Sequence, residues 1–216
     1  MDRRQYMICL GSLGIISTAG CLDVVTGDGP LTFEAQPHGI DSEIQDETGY
    51  EHVNTDSHVI SEDFDVAGQT REVEVTNYII EYEKSIELGP VGTIPAAVFT
   101  ILSTPQVSIV GQEFNPVADM TTEDLATMAE EQYDEIEDLQ HIEDSTVSVS
   151  SSETTQSKFS ARTTMGGELI ELHLHVTEAV EIGDDLVITV GGYPELTPEE
   201  EENIFALMEA VESNAA

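Results

Sequence analysis

Apolar and polar residues alternate along several segments of the chain, and this period of two predicts half-buried β-strands. Val73 and Val75 share one face of such a segment, but the apolar parity shifts near Asn77, which predicts a bulge there. A continuously apolar stretch predicts a buried strand interrupted at Pro105. The strand segments are Leu31–Gln36, 71–88, 96–110, 145–151, 157–165, 168–180 and 184–193.

Three other segments have signals for helices. Residues 38–50 predict a short helix that ends near Gly49. Thr121 and Asp124 suit an N-cap and an acidic first turn, followed by apolar residues at helical spacing: Leu125, Met128, Ala129, Tyr133, Ile136 and Leu139. Near the C-terminus, Thr197 and Glu200 match a capping box, and Ile204, Phe205, Met208 and Val211 follow as an apolar face.

This order of elements predicts an α+β domain over residues 31–213. In it, helices pack on an antiparallel β-sheet that ends in a C-terminal four-strand meander. Turns at Gly166-Gly167 and Gly183-Asp184 join the meander strands, and Gly191-Gly192-Tyr193-Pro194 is interpreted as a turn from strand to helix.

The first 20 residues have the pattern of an export signal. Arg3 and Arg4 precede an apolar run that is shorter than the roughly 20 residues a membrane-spanning helix needs. The paired arginines favour the twin-arginine route. Small residues then lead to Cys21 in a pattern that resembles a lipoprotein processing site, so residues 21–30 are predicted to be a lipidated cysteine and a tether. Plain secretion and an uncleaved anchor remain as alternatives.

Acidic residues dominate the charge, because 44 Asp and Glu face six Lys and Arg for a formal net charge of −38. They are spread along the whole chain, which favours adaptation to high salt over a dedicated site for Ca²⁺ or a cationic partner. Nucleic-acid binding needs clustered basic residues and is therefore not expected. On one strand, Lys158 and Arg162 are predicted to pair with glutamates, with a small anion site as the alternative.

Cysteine usage excludes several kinds of chemistry. The chain has two cysteines. Cys9 lies in the predicted signal, and Cys21 is the predicted lipid attachment residue. No thiol is then left for a disulfide, a nucleophile, an iron–sulfur cluster or a blue-copper site, and no cofactor is predicted.

Four segments carry a resemblance: "TGYEHV", "AGQTREVEVTNYIIEYEK", "FNPVADM" and "HLHVTEAVEIGDDLVITVGGYP". With the terminal acidic helix, they resemble an uncharacterised family of lipoproteins from halophilic archaea. The resemblance implies export, a lipid anchor and extreme salt, with no established activity. The order of strands and helices is also similar to the PsbP/Mog1-like fold, which implies a tendency towards protein–protein interaction.

One candidate metal site is present. Glu171, His173 and His175 alternate along a predicted strand and so project to one face, where two imidazoles and a carboxylate could bind Zn²⁺. The alternative is the polar outer face of a half-buried strand. No calcium-loop spacing, nucleophile elbow or phosphate loop is found, so the sequence assigns no catalytic residue.

We therefore expect a protein held on the extracellular face of the cell membrane by lipid on Cys21. The predicted function is a non-catalytic interaction module, or a binding module associated with the cell envelope, with a protein partner there. This prediction requires an apolar patch on the acidic surface. A small-ligand or metal carrier is the alternative, and a hydrolase is a further one.

Overall fold

The computed structural model describes residues 29–213, apart from 67–68, 88, 90–91, 110–111, 114, 133–135 and 166. The predicted signal with Arg3 and Arg4, together with Cys21 and most of the tether, lies outside the described residues.

Strands and three α-helices make up the described part of the chain. The helices are α1 (Ser42–Thr48), α2 (Thr122–Gln132) and α3 (Glu200–Glu209), and a 3-10 turn covers Pro116–Asp119. The strands β1 to β13, in chain order, are Leu31–Glu34, His38–Ile40, Glu51–Val66, Gln69–Glu87, Thr93–Pro105, Ser108–Ile109, Gln112–Glu113, Glu137–Val149, Ser152–Met165, Glu168–Thr177, Val180–Ile182, Asp185–Pro194 and Val211–Ser213.

One nine-stranded sheet organises the fold. Its main path runs β1-β4-β5-β12-β10-β9-β8, while β3 pairs with β4 and β11 with β12. β1 is parallel to β4, and the other pairs in this sheet are antiparallel, so the sheet is mixed. The long strands β3 and β8 lie at its two ends.

Helices cover the middle of the sheet on both faces. On β10, His175 lies against Phe205 of α3, whereas its neighbour Leu174 belongs to an apolar cluster with Leu125 and Ala126 of α2. Because neighbouring strand residues point to opposite faces, α3 and α2 lie on opposite sides of the sheet.

The predicted α+β class is wrong. Strands account for 64% of the structure and helices for 18%, so the fold is mostly β, a large mixed sheet with few helices. The expected PsbP/Mog1-like arrangement is withdrawn with it. The main reason is that residues 51–66 form an unanticipated long strand, and α2 ends at Gln132 instead of continuing to Leu139.

Two predicted helix starts have different outcomes. At α2 the capping prediction is confirmed, because the Thr121 backbone N–H donates to the Asp124 carboxylate (3.1 Å) and the Asp124 N–H donates to the Thr121 hydroxyl (3.2 Å). At α3 the capping box does not form. The Glu200 carboxylate instead contacts Lys84, and the Thr197 hydroxyl donates to the carbonyl of Pro194.

The parity shift in β4 has a cause other than a bulge. Pairing with β3 passes through Asn77 without a register shift. Val73 is buried with Leu31 of β1 on one face of β4, whereas Ile80 and Tyr82 are buried in the main core on the other. The apolar residues change parity because the two halves of the strand are covered from opposite sides.

The glycine pair is part of strand β12, so its interpretation as a turn is wrong. A Cβ on Gly191 would lie 2.6 Å from Cγ2 of Ile204, and one on Gly192 would lie 2.9 Å from Cδ2 of Leu174. The pair therefore lets α3 approach the sheet closely on one face and lets Leu174 pack on the other.

Candidate functional site

The predicted metal residues lie on one face of β10 but in different surroundings. Glu171 is exposed, His173 is partly buried and His175 is fully buried. The Glu171 carboxyl shares a hydrogen bond with Glu195, and this contact raises the pKa of Glu171. In the part of the chain that the structure describes, no group of three or more His, Cys, Asp and Glu could hold a metal ion. The metal prediction therefore has no geometric support.

His175 is enclosed by aromatic rings. It stacks on Tyr193 with ring centres 5.5 Å apart, and its Nε2 lies 3.1 Å from the Tyr193 hydroxyl. Phe205 of α3 meets the ring edge-on at 5.4 Å. Burial lowers the pKa of His175 to about 4, so the imidazole is neutral at ordinary pH, and burial also lowers the pKa of His173.

Both lysines of the chain reach the first turn of α3. Lys158 on β9 contacts both carboxylate oxygens of Glu201, at 3.0 and 3.1 Å. Lys84 on β4 contacts the carboxylate of Glu200 at 2.8 Å, and the Glu200 side chain is only 4% exposed. Ion pairs with these glutamates therefore fix α3 to two separate strands of the sheet.

Tyr50 completes this arrangement beside Lys84. The Lys84 ammonium lies 5.7 Å from the centre of the Tyr50 ring, a distance suited to a cation–π contact. Burial and the nearby Glu200 carboxylate raise the pKa of Tyr50, and burial raises that of Tyr193. We call Tyr50, Lys84, Lys158, His175, Tyr193, Glu200 and Glu201 the helix-docking cluster.

Three residues of the helix-docking cluster, Tyr50, His175 and Tyr193, have shifted pKa values of the kind expected at many active sites. Structural ion-pair networks shift pKa values as well, and α3 covers this cluster. Each lysine is paired with a glutamate, and the His175 ring is closed off by Tyr193 and Phe205. The cluster thus attaches α3 to the sheet, and the predicted pairing of Lys158 with a glutamate is confirmed. Arg162, the other residue in that prediction, pairs with Asp138.

A second buried pair joins the start of the domain to β12. His38 Nε2 lies 3.0 Å from Asp185 Oδ2, and the same oxygen accepts the Gln36 backbone N–H at 2.8 Å. Both side chains of the pair are almost fully buried. The sequence offered no signal for it, because the two residues are far apart along the chain.

A cleft of about 410 Å³ opens beside the edge of the sheet, on the face that carries Ile80 and Tyr82. It is enclosed by the segment before α1, the start of α1, β2, β3, β4 and β13. Its lining residues are Pro37, Gly39, Ile40, Asp41, Ser42, Gln45, His52, Thr55, Ile80, Tyr82 and Glu212.

Hydrogen bonds fix the shape of this edge cleft. The Tyr82 hydroxyl accepts the Ile40 N–H at 2.8 Å. The Gln45 side chain donates to the Ile40 carbonyl at 2.8 Å and accepts the His52 N–H at 3.3 Å. The His52 ring lies edge-on to Tyr82 at 5.5 Å. The cleft is therefore preformed, and the exposed carboxylates of Asp41 and Glu212 are among its lining groups.

Strand β3 forms one wall of the edge cleft and is also the outermost strand of the sheet. None of its residues 51–64 is buried, although β3 is one of the longest strands described. Val53, Val59 and Ile60 are 49%, 61% and 50% exposed. Among the described residues no strand pairs with the outer side of β3, and an edge of this kind can pair with a further strand.

Sequence reasoning missed both β3 and the edge cleft. The segment 51–66 mixes valine, isoleucine and threonine with many acids, so it has β-branched residues but no regular alternation. That composition was the available signal for the strand. Asp41 and Glu212 could not be brought together from the sequence, because β2 and β13 pair across nearly the whole domain.

Comparisons with known proteins give one family and a distant likeness to solved structures. One of these is the crystal structure of a protein of unknown function from Pseudomonas aeruginosa, with 11% identity and a TM-score of 0.32, covering 72% of this chain and 99% of that chain. A comparison with curated protein sequences found no match. None of the described helices is long and apolar enough to cross a membrane. A domain of unknown function, DUF6517, matches residues 37–212, most of the chain, and the protein therefore belongs to the DUF6517 family.

Proposed function

We propose that the protein is an exported lipoprotein of a halophilic archaeon, held at the outer face of the cell membrane by lipid on Cys21. It acts there as a binding module for another protein of the cell envelope and not as an enzyme. The anchor part rests on the twin arginines, the short apolar run and the cysteine that follows it. The high-salt part rests on the net charge of −38.

The binding part rests on one observation, the exposed edge strand β3. A strand of this length that buries none of residues 51–64 adds little to the core, yet its outer edge can pair with another chain. Acidic side chains along it, such as Glu51, Asp56 and Glu62, discourage indiscriminate pairing. This supports a selective partner site on β3, and the contiguous apolar patch expected from the sequence stays a prediction.

The alternatives differ in support. The edge cleft favours a small-ligand carrier as the second candidate, because it is preformed and polar side chains line it. The hydrolase alternative gains nothing from the histidine with the most strongly shifted pKa, His175, because that ring is buried under α3 rather than in the cleft.

Anchoring is tested by Cys21→Ser in the native host. We expect the variant to leave the membrane fraction or to accumulate as an unprocessed precursor. Normal processing with unchanged membrane retention would refute the lipid anchor. Mass spectrometry of the N-terminal peptide of the wild-type protein identifies the lipid directly.

Binding is tested by placing a photo-crosslinking amino acid at Val59 on β3. Leu196 is a matched control, since it is also a highly exposed aliphatic residue but lies outside the strand. We expect a stoichiometric adduct with one envelope protein from Val59 and none from Leu196. Equal labelling from both positions, or none from either, would contradict a partner site on β3.

A further inference from the structure

The edge cleft and the free edge of β3 are parts of one surface. His52 is in register with Tyr82 of β4, and Thr55 with Ile80, and these four residues line the cleft. β4 occupies one side of β3, so a further strand can add only on the other side. Such a strand would lie about 4.8 Å from β3, next to the strand that contributes His52 and Thr55 to the cleft.

Side-chain alternation then decides what enters the cleft. Alternate residues of an added strand project to the same face as Tyr82 and Ile80, where the cleft opens. The other residues project to the opposite face, outside the cleft. Backbone hydrogen bonds would thus supply pairing, and one side chain in the cleft would supply selectivity.

The charges of the cleft indicate which side chain fits. Asp41 and Glu212 line it, and its lining contains no lysine or arginine. The Asp41 Oδ1 atom accepts the Glu43 N–H at 2.7 Å, which leaves the second oxygen of that carboxylate for a ligand. Ile40 and Ile80 are buried beneath the cleft, so half-buried Pro37 is the lining residue that offers apolar surface to the stem of a long cationic side chain.

We propose that β3 pairs with an extended segment of the partner protein and that an arginine or lysine of that segment occupies the edge cleft. This deepens the proposed function, because it gives the chemistry of the partner at the same site. Arginine is the better fit of the two, since its planar group can donate to two carboxylates at once.

The test uses the full-length protein in detergent, in molar salt, and fluorescent peptides of nine residues. The first peptide alternates threonine and valine and has a central arginine. The second has glutamate in the central position. The third and fourth are the first peptide with methylated backbone nitrogens on odd-numbered and on even-numbered residues, respectively. Fluorescence anisotropy measures each affinity.

We expect the arginine peptide to bind and the glutamate peptide to bind at least tenfold more weakly. One of the two N-methylated peptides should not bind, namely the one whose methyl groups lie on the edge that pairs with β3. Asp41→Asn and Glu212→Gln should each weaken arginine-peptide binding several-fold. Asparagine is as good an N-cap as aspartate, so α1 should remain intact in the first variant. Glu168→Gln, at an exposed acid on β10, is the control and should leave the affinity unchanged.

Three results would overturn the inference. They are equal affinity for the arginine and glutamate peptides, free arginine competing as well as the peptide, and sedimentation that shows β3 occupied by a second copy of this chain. The Val59 cross-link separates this failure from that of the proposed function. If Val59 captures an envelope protein but the arginine peptide does not bind, the binding module stands and its basic-strand recognition fails.

Discussion

Gly191→Ala should destabilise the protein by overpacking the contact between β12 and α3. The added methyl group would lie 2.6 Å from Cγ2 and 2.7 Å from Cδ1 of Ile204. Ile204 is fully buried with Leu207 and Met208, so it cannot simply turn towards solvent. Overpacking of this kind costs about 1–3 kcal/mol.

The expected loss can be measured by thermal or urea unfolding in molar salt. For a domain of this size, a loss of about 2 kcal/mol lowers the melting temperature by roughly 4–8 °C. Gly192→Ala is the matched control on the same strand. Its methyl group would meet one atom closer than 3.0 Å, Cδ2 of Leu174 at 2.9 Å, where that of Gly191→Ala meets two atoms of Ile204, so the loss should be smaller.

A double-mutant cycle tests whether the steric contact is the cause. Ile204→Ala alone should cost about 2–5 kcal/mol because it leaves a cavity. In the double variant the new methyl group has room, so the combined loss should fall short of the sum by about 1 kcal/mol or more. Strict additivity of the two changes would refute the close contact between Gly191 and Ile204.

Three further predictions concern charge. Burial lowers the pKa of His175 from 6.5 to about 4 on folding, so the unfolded chain binds a proton more readily than the folded protein. The free energy of unfolding should therefore decrease as the pH falls from 6.5 towards 4, by on the order of 3 kcal/mol. Urea unfolding of His175→Phe should show a smaller decrease over this pH range, and a decrease equal to that of the wild type would contradict the prediction. Lys84→Met leaves the buried Glu200 carboxylate unpaired and should lower the free energy of unfolding, measured in urea, by about 2–4 kcal/mol. The same substitution should cost less in a Glu200→Gln background, where no buried charge is left unpaired. Equal losses in the two backgrounds would exclude the ion pair as the cause. Lowering salt from molar levels to about 0.1 M should reduce the melting temperature by self-repulsion, and indifference to salt would count against the high-salt proposal.

Some features of the fold could be predicted because their signals are local. The strand at Leu31–Glu34, the short helix before Gly49 and the reciprocal cap of Thr121 and Asp124 all form where the sequence indicated. Each depends on residues within a few positions of one another. The alternation on β10 likewise placed Glu171, His173 and His175 on one face.

The candidate sites depended on contacts that no local pattern encodes. The burial of His175 follows from α3 lying over β10 and from both lysines reaching Glu200 and Glu201. The predicted capping box failed for the same reason, because Lys84 takes the carboxylate of Glu200.

By itself, the sequence determined strand and helix periodicity, the acidic charge and the low number of cysteines, all of which are sums or repeats of individual residues. Only the tertiary structure decided that β3 is an edge strand, and that β2 and β13 meet beside it to enclose the edge cleft. The physical reason is that the order of strands in a sheet depends on long-range strand pairing and on which apolar faces are buried against other elements. Two strands with the same alternation of apolar and polar residues can therefore lie either in the centre of a sheet or at its edge.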